Sequence, residues 1–506
     1  MRKTTSTTPA PPEEGKKFPS SGGVPAGRGG PENVSLLTVR SIFVFPFPYL
    51  PIDIMTNRRQ FLKRSSAAVA GAALTPYLFS SAQPAYAQAP SDRLRVGCVG
   101  VGSMGQGDAH DFSNLTDVVA VCDVDSEYGI AAALNNPNIG KIRDGKKEGT
   151  PDSCKDYRKI LDRKDIDIVS VVTTDPWHVK IAIEALQAGK HVFCQKPLTL
   201  TIEEGQLIRN AVKKYPKQVF QVGSQQRSQR DQFATACLMV RKGMLGDIKK
   251  MTVDIGPGDV GGPFTKTTPP DCLDYDMWLG QCPVVEYIPE RVRYQFRWWY
   301  EYGGGKFTDW GAHHIDFAHW ALNEVAEGQG PVSFKPIAVK HPVPFKDGYP
   351  TVDNCYNTSH EFQILCKFAS GAEMLVCSHS QDGNGILIEG TKGRMHVDRG
   401  RIKGKPIEDG LQKALTEDDF TALFNGKKFD GWHKQNFITC IREGGLPVSD
   451  VISHVQAMNS CHLCAITARL DREIKWDPKK EKILGDDQAA TFLARERRKG
   501  FEIPKV

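Results

Sequence analysis

A glycine-rich turn, GVGSMG at residues 100–105, separates an apolar run from a helical pattern. The run before it, LRVGCVG at residues 94–100, is short and apolar, which is typical of a buried strand. A second apolar run, DVVAVC, leads to Asp123, eighteen residues after Gly105. Strand, glycine turn, helix, strand and acidic residue, in this order, indicate the first βαβ unit of a doubly wound α/β domain.

Each position of the glycine turn has a physical reason. Gly100 permits the tight turn, Gly102 lets the backbone approach a pyrophosphate, and Gly105 lets the helix pack closely on the strand. The first helical residues, Ser103 and Met104, offer unpaired N–H groups to phosphate oxygens. The pattern therefore predicts a bound nicotinamide dinucleotide. The alternative is a glycine turn in an α/β domain that binds nothing.

Asp123 indicates which dinucleotide is bound. A carboxylate at the end of the second strand accepts hydrogen bonds from the adenosine ribose hydroxyls. The same carboxylate repels a 2′-phosphate. The sequence therefore predicts NAD rather than NADP as the cofactor.

The strand–helix alternation continues along the chain. Three more apolar runs and two stretches of helical periodicity follow, at residues 165–174, 178–190, 191–197, 202–215 and 218–224. This order predicts a parallel sheet whose ligand cleft lies at the C-terminal strand ends. We expect five side chains from these ends near a bound nicotinamide: Thr174, Asp175, His178, Gln195 and Lys196. Trp177 is a candidate for substrate contact.

Composition and charge exclude several classes of protein. Hydrophobic residues make up 40% of the 506 residues and charged residues 25%, which excludes a disordered or multi-span membrane protein. Residues 1–87 hold ten basic and four acidic groups and so carry the whole net charge of +6. The remaining chain has no basic surplus. A general nucleic-acid-binding role therefore lacks its electrostatic basis.

Residues 55–87 have the pattern of an export signal. Arg58-Arg59 precedes an apolar stretch and a small-x-small site at residues 85–87, which resembles a twin-arginine signal peptide. Pro76 interrupts the apolar stretch, so a permanent membrane span is not expected. Residues 1–54 fit a disordered or wrongly assigned extension. The prediction is a periplasmic protein; its alternatives are a flexible N-terminal tail and a cytoplasmic location.

From about residue 93 onward the chain resembles the Gfo/Idh/MocA family of oxidoreductases, in particular a bacterial subgroup exported by the twin-arginine route. The matching segments include VGVGSMG, AVCDVD, WHVKIAIEALQAGKHVFCQKPLT, GGGKFTDWGAHHIDFAHWAL and IEGTKGRMHV. The resemblance implies a Rossmann domain at residues 90–225. It also implies a substrate-binding and oligomerisation α+β domain with an open, mostly antiparallel sheet at 226–470, and a packed tail at 471–506. Dimers or tetramers are common in the family.

The resemblance also implies catalytic residues. The family's catalytic lysine lies in a Glu-Lys-Pro motif, which Lys196 matches, and its Asp-x-x-x-His pair matches Asp309 and His313. The chain departs from this pattern at Gln195, which stands in place of the usual glutamate. A glutamine still hydrogen-bonds ribose hydroxyls, but it carries no charge beside the lysine.

The residues themselves agree with these roles. Asp309 and His313 are four apart, so they share one face of a helical turn. We expect His313 to take the proton of the oxidised hydroxyl, with Asp309 holding the imidazole or binding a substrate hydroxyl. Lys196 then stabilises the developing negative charge. Trp310 and His314 are candidate substrate contacts, although His314 also fits a packing role.

Three further interpretations of the sequence stay open at this point. A metal site could use Asp309 and His313 together with His314, Asp316 and His319, but nicotinamide chemistry needs no metal, and none is predicted. The aromatic segment YQFRWWYEYGGG fits either plain core or a substrate cleft. Cys461 and Cys464 form a single CxxC, a weak metal or redox signal without a second pair.

The leading functional prediction is a nicotinamide-dependent oxidoreductase that acts on a sugar, cyclitol or glycoside hydroxyl and keeps its cofactor tightly bound. An exported protein meets no soluble NAD pool, so a bound cofactor must be returned to its starting state within the catalytic cycle. The first alternative is a redox-neutral enzyme that cleaves glycosides by transient oxidation and elimination. The second is a non-catalytic sugar-binding protein on the same fold.

Overall fold

The computed structural model describes residues 93–143, 145–428 and 433–506. The predicted leader and the N-terminal extension lie outside these residues. Within the described part, no helix combines the length and the apolar character needed to cross a membrane.

The first half of the described chain builds a six-stranded sheet with its helices. Its strands are β1 (Arg95–Val99), β2 (Asp117–Cys122), β3 (Lys141–Arg143), β4 (Lys146–Gly149), β5 (Asp152–Cys154), β6 (Ile168–Val171), β7 (His191–Cys194) and β8 (Phe220–Val222). Its helices are α1 (Ser103–Leu115), α2 (Ala132–Asn135), α3 (Arg158–Leu161), α4 (His178–Gln187) and α5 (Ile202–Lys214). Strands β3 and β4 form a separate hairpin.

The six strands follow the order β5-β2-β1-β6-β7-β8, and every pairing is parallel. Strands β2 and β6 are buried along their whole length, because helices cover both faces of the sheet. The order reverses direction between β1 and β6, which opens a crevice at their C-terminal ends. The prediction of a doubly wound parallel sheet is confirmed.

The second half builds a nine-stranded sheet. The strands of this half are β9 (Ile248–Asp254), β10 (Pro331–Lys340), β11 (Phe345–Lys346), β12 (Tyr349–Pro350), β13 (Glu361–Phe368), β14 (Glu373–Cys377), β15 (Gly385–Gly390), β16 (Gly393–Val397), β17 (Ile402–Lys403), β18 (Ile474–Asp477) and β19 (Lys482–Ile483). Strands β11 and β12 form a separate hairpin. The helices of this half are α6 (Thr235–Arg241), α7 (Tyr275–Leu279), α8 (Lys306–Asp309), α9 (Gly311–Leu322), α10 (Lys405–Glu408), α11 (Glu417–Leu423), α12 (His433–Glu443), α13 (Val451–Leu470) and α14 (Asp487–Ala490).

The sheet has the order β17-β16-β15-β9-β14-β13-β10-β18-β19, and only the β9–β14 pairing is parallel. Alternate residues of β13 are buried, with Phe362, Ile364 and Cys366 on the core side. One face of the sheet therefore packs on helices, as period-2 burial indicates. The prediction of an open, mostly antiparallel sheet is confirmed.

Helix α13 joins the two sheets. It is buried over most of its twenty residues, and it contacts both α5 of the first sheet and α9 of the second. A Cβ added at Gly205 of α5 would lie 2.8 Å from the side chain of Val455. His454 of the same helix lies 3.0 Å from Asp316 of α9. The cores of the two sheets are therefore linked through one element.

The segment between β9 and α8 crosses back to the first sheet. Ser126 donates its backbone N–H to the carbonyl of Cys272 at 2.9 Å, and Asp274 donates to the carbonyl of Val124 at 2.9 Å. This segment carries most of the aromatic residues noted in the sequence. Trp299 is fully buried, as a core residue is, whereas Phe296 lines a cavity between the sheets. The aromatic segment thus serves both core and cleft.

The two cysteines of the CxxC pair lie on α13 and are fully buried. The sulfur of Cys464 is 3.7 Å from that of Cys366 on β13. Among the described residues, no group of histidine, cysteine or acidic side chains is arranged to hold a metal ion. These thiols pack as small apolar side chains of the core.

Candidate active site

A cavity of about 620 Å³ lies at the C-terminal ends of the parallel strands and is closed on its other side by the second domain. Its wall includes most of the predicted cofactor and catalytic residues: Gly100, Gly102, Ser103, Met104, Gly105, Asp123, Thr174, Gln195, Lys196, Asp309 and His313. The candidate substrate residues Trp177 and Trp310 also line it. The fold therefore brings these side chains together from both domains.

The glycine turn forms one end of this cavity. Gly100 has φ +79°, and a Cβ there would lie 2.5 Å from the carbonyl oxygen of Val172. A Cβ at Gly105 would lie 2.0 Å from the carbonyl oxygen of Gly100. No side chain caps the start of α1, and its first turn holds no acidic residue. The free N–H groups at this helix end suit a pyrophosphate.

Asp123 lies at the same end. Its carboxylate accepts the backbone N–H of Val101 at 2.8 Å and that of Asp125 at 3.0 Å. Burial raises the pKa of Asp123, and these backbone hydrogen bonds counteract that shift. The side chain is thus fixed on the cavity wall, where it can accept further hydrogen bonds from ribose hydroxyls.

Lys196, Asp309 and Arg297 form an ion-pair cluster at the other end. The ammonium of Lys196 donates to Oδ1 of Asp309 at 2.8 Å, and the guanidinium of Arg297 contacts the same oxygen at 2.9 Å. Burial would raise the pKa of Asp309, but the two cations hold it well below its usual range. We expected Asp309 to hold His313 or bind a substrate hydroxyl. In the structure its carboxylate forms ion pairs with Lys196 and Arg297.

His313 lines the cavity on the first turn of α9. Burial and the positive charges of Lys196 and Arg399 hold its pKa well below the usual 6.5. Its Nδ1 is enclosed and has no hydrogen-bond partner among the described residues. The imidazole is therefore neutral at pH 7, which is the state that a general base requires.

Two of the predicted residues lie off the cavity wall. His178 is buried behind it, with Nδ1 2.6 Å from the carbonyl of Pro197 and Nε2 3.0 Å from that of Thr173. Burial lowers the pKa of His178 to about 4. We expected His178 to line the pocket. The structure shows that it braces the two loops that carry Thr174 and Lys196.

His314 is the second of these. It is fully buried, and its Nδ1 lies 3.1 Å from the carbonyl of Asp254. Burial lowers its pKa to about 3. The residue therefore has the packing role, not the substrate contact. His313 lines the cavity, whereas His314, one residue further along the helix, points into the interior.

The remaining acidic and histidine side chains of α9 have partners of their own. Asp316 is bound by Arg227 at 2.6 Å and lies 3.0 Å from His454. His319 lies 2.9 Å from both the carbonyl of Glu324 and the hydroxyl of Ser460. These partners satisfy the side chains, so the histidine-rich helix serves packing around a single reactive imidazole.

Gln195 has an unexpected partner. Its Nε2 donates to Oδ2 of Asp108 at 2.8 Å, and its Oε1 accepts the backbone N–H of Lys196 at 3.2 Å. The other oxygen of Asp108 is bound by the buried ammonium of Lys434 at 2.7 Å. The amide is thus held between a carboxylate on α1 and the loop that carries Lys196.

Four residues of the site were not found from the sequence: Asp108, Arg297, Arg399 and Lys434. Arg297 lies in a short 3₁₀ helix (Arg293–Trp298), Arg399 lies in a turn without any motif, and Lys434 lies more than two hundred residues beyond Gln195. Only Arg297 carried a sequence signal, because it stands in the aromatic segment next to the three glycines at 303–305.

Comparison with known proteins follows the same division of the chain. Residues 94–224 match the profile described as the oxidoreductase family, NAD-binding Rossmann fold, of the Gfo/Idh/MocA group. Residues 260–503 match that family's C-terminal alpha/beta domain. The chain belongs to the Gfo/Idh/MocA oxidoreductase family.

Several curated relatives in this family share part of the chain. A glycosyl hydrolase family 109 protein of Shewanella pealeana is 31% identical over 206 residues, which cover 38% of this chain and 44% of the relative. An alpha-N-acetylgalactosaminidase of Shewanella oneidensis is 28% identical over 207 residues, with the same two coverages. The chain thus spans less than half the length of these curated relatives.

Solved structures of the family share the fold over a longer stretch. The WlbA dehydrogenase of Bordetella pertussis, in complex with NADH and UDP-GlcNAcA, has a TM-score of 0.52 at 18% identity. It covers 77% of this chain and 99% of its own. The aldose-aldose oxidoreductase of Caulobacter crescentus, complexed with glycerol, has a TM-score of 0.51 at 19% identity and covers 76% and 100%. Both support the fold described above.

Within this Gfo/Idh/MocA chain, Gln195 is explained by Asp108. A glutamate at position 195 would place two buried carboxylates in contact, because Asp108 is only 4% exposed. We expect Gln195→Glu to lower the free energy of unfolding by about 2 kcal/mol and to weaken NADH binding about tenfold. Thermal melts and NADH titration of the full chain check both effects.

A double variant provides the control for this prediction. Asp108→Asn should restore much of the loss when it is combined with Gln195→Glu, because the amide and the carboxylate then exchange places. If Gln195→Glu alone behaves like the wild type, the Asp108–Gln195 contact does not explain the glutamine.

Proposed function

We propose that the protein oxidises a hydroxyl of a sugar, cyclitol or glycoside by hydride transfer to tightly held NAD. One observation carries the proposal. The Lys196–Asp309 ion pair and the neutral imidazole of His313 line the same cavity as the glycine turn. Alcohol oxidation requires a hydrogen-bond donor to the reacting oxygen, a base for its proton and a dinucleotide site.

The residues present fit NAD. The uncapped start of α1 would hold the pyrophosphate, and Asp123 would accept the adenosine ribose hydroxyls. Thr174, Gln195 and Lys196 would lie at the nicotinamide end. When bound, NAD supplies the acceptor for the hydride.

The side chains divide the proton and charge chemistry between them. Nε2 of His313 is the ring nitrogen left to take the hydroxyl proton, because Nδ1 is enclosed. The ammonium of Lys196 donates a hydrogen bond to the same oxygen and stabilises the negative charge that develops there. Asp309 and Arg297 hold that ammonium in place.

This assignment predicts a pH profile. A general base acts only when deprotonated, so activity rises as the pH rises through its pKa in the folded protein. Because the pKa of His313 lies well below 6.5, we expect kcat/KM to be on its plateau already at about pH 6. Initial rates from about pH 4.5 to about pH 8.5 check this. A half-maximal rate at or above the ordinary histidine value would contradict the neutral-base assignment.

The first experiment on function uses the full chain, purified without added nicotinamide dinucleotide. The protein is denatured, and the released dinucleotide is identified and counted by mass spectrometry. A second portion is offered sugars, cyclitols and glycosides while nicotinamide reduction is followed by absorbance. We expect near-stoichiometric NAD(H) and oxidation of one substrate group. A protein that neither contains nor binds NAD would overturn the proposal.

The variant His313→Asn separates catalysis from binding. This variant should still bind the dinucleotide and the sugar but should lose turnover. A non-catalytic sugar-binding protein would show no turnover in the wild type either, so the pair of proteins distinguishes the two classes.

A second candidate function is redox-neutral cleavage of a glycoside. The curated relatives named glycosyl hydrolase family 109 favour it. In this chemistry the hydroxyl is oxidised, the leaving group is eliminated, water adds, and the hydride returns to the sugar. The two functions differ in product, a ketone in one and a free aglycone in the other. Chromatography of the products decides between them.

The compartment is part of the proposal. A twin-arginine leader at residues 55–87 would send the protein to the periplasm, where a retained cofactor is required. Fractionation of native cells, with mass spectrometry of the N-terminal peptide, tests export and the translation of residues 1–54. We also propose a homo-oligomer, a dimer or tetramer, which light scattering checks.

A further inference from the structure

The nicotinamide end of the cavity holds more positive than negative charge. Lys196 and Arg297 both bind the single oxygen Oδ1 of Asp309. Lys306 and Arg399 lie close enough for the charge of Asp309 to influence them. Within the described ranges, neither of these two side chains has a carboxylate in ion-pair contact. At this end Asp309 thus faces three cavity-lining cations, Lys196, Arg297 and Arg399, whereas Lys306 lies off the cavity wall and also has Asp259 near it.

The second carboxylate at this end does not restore the balance. Asp175 lines the cavity and lies near Lys196 and Arg297. Burial raises its pKa to about 8, in spite of the two cations. Asp175 is therefore mostly protonated at neutral pH and supplies little negative charge.

Arg399 is the cation of this cluster that is held in place yet lacks an anion. It lies in the turn between β16 and β17, with its guanidinium carbon 4.5 Å from the ring centroid of Trp310. When the amide of the buried Gln226 is oriented to satisfy its neighbours, its oxygen accepts Nε of Arg399 at 3.2 Å. The side chain is thus fixed at Nε and lines the cavity beside His313.

The neighbouring arginine of the same turn behaves differently. Arg401 lies 3.5 Å from Asp398, and its side chain is 66% exposed. It does not line the cavity. Both arginines are exposed, but only Arg399 lines the cavity, so the two form a matched pair.

The dinucleotide does not account for Arg399. Its pyrophosphate suits the start of α1, where Gly102 and Ser103 line the cavity. Arg399 contacts Trp310, next to Asp309 and His313, at the end where the substrate hydroxyl reacts. A guanidinium with free terminal nitrogens offers a planar fork that matches the two oxygens of an oxyanion.

We propose that the substrate is an anionic sugar, with a carboxylate or sulfate substituent that Arg399 binds against Trp310 while the reacting hydroxyl contacts Lys196 and His313. The proposal rests on the proposed oxidoreductase function. The guanidinium of Arg399 covers one face of Trp310 at 4.5 Å, so the arginine would bind the negative substituent beside the indole. The negative substituent also offsets the excess positive charge around Asp309.

The test compares matched acidic and neutral probes with the full chain carrying NAD(H). D-Glucuronate and D-galacturonate are set against D-glucose and D-galactose, and glucose 6-sulfate distinguishes a sulfate from a carboxylate. Both kcat/KM and calorimetric affinity are measured. We expect at least one acidic probe to exceed its neutral partner by about thirtyfold in affinity or in kcat/KM.

Variants of the two arginines assign the preference. Arg399→Gln should reduce the acid-to-neutral ratio by about tenfold or more, and Arg401→Gln should leave the ratio unchanged. Arg399→Lys keeps the charge but not the fork, so it should retain part of the preference. This variant also serves if Arg399→Gln does not fold. NADH affinity is measured in each variant to separate anion binding from dinucleotide binding.

The outcomes are distinguishable from those of the proposed function. Equal use of neutral and acidic sugars, or a preference that survives Arg399→Gln, overturns the anion site while oxidation stands. Binding of an acidic probe that depends on Arg399, without nicotinamide reduction, supports the anion site and counts against the oxidoreductase function. Failure of every probe to bind more tightly than its neutral partner overturns the anion site.

Discussion

Replacing Lys196 by methionine should lower kcat about a thousandfold while the affinity for NADH changes much less. The ammonium bound to Asp309 is the donor placed to stabilise the oxygen that loses its proton. Removing one preorganised donor of this kind costs about 10²–10³ in rate, and Asp309, which keeps Arg297 but loses its second cation, adds to the loss. Methionine has a similar length and carries no charge.

The measurement is steady-state kinetics on the best substrate, together with an NADH titration. Lys164→Met, at an exposed position of the same domain, controls for the loss of a lysine as such. A variant Lys196→Met that keeps more than a tenth of the wild-type kcat would remove Lys196 from the chemistry. An equal loss in NADH affinity would assign it to cofactor binding instead.

Replacing Gly105 by alanine should have the second large effect. The new Cβ would lie 2.0 Å from the carbonyl oxygen of Gly100, which is backbone and cannot rotate away. Helix α1 must therefore move away from the turn, and its N-terminal N–H groups move with it. We expect a loss of about 3 kcal/mol in the free energy of unfolding and NADH affinity lower by about tenfold or more.

Gly107 offers a matched control on the same helix. A Cβ at Gly107 would meet nothing within 4 Å, so Gly107→Ala should stabilise the helix by up to about 1 kcal/mol. Chemical denaturation and NADH titration of both variants give the comparison. If Gly105→Ala melts and binds like Gly107→Ala, close packing of the helix on the turn is not what position 105 requires.

The local parts of the fold were predictable because their causes are local. A glycine turn, its flanking apolar runs and Asp123 lie within thirty residues, and sterics alone fix their arrangement. The same holds for the step from Asp309 to His313 on one helix. Sequence spacing also allowed a packing role for His314, because one further residue along a helix rotates the side-chain direction by about 100°.

The rest of the site depends on contacts that no spacing reveals. Lys434 meets Asp108 only because α12 packs beside α1, and Asp108 meets Gln195 only because α1 lies beside the loop after β7. Arg399 reaches Trp310 only because the turn after β16 lies at the cavity. The ion pair of Asp309 with Lys196 has the same cause, because the two residues are 113 positions apart in the sequence. Long-range packing, not residue type, decided these positions.

Helix α13 has a consequence for how molecules enter and leave. Its side chains contact the cores of both sheets, and Arg227, Asp316 and His454 form a buried charged network where it meets α9. Swinging the two domains apart would expose these charges and the apolar contact of Val455 with Gly205. A hinge motion between the two domains would therefore cost a large amount of free energy. Substrate and cofactor must enter and leave through the loops at the rim of the cavity. Such a passage suits a small sugar far better than a dinucleotide.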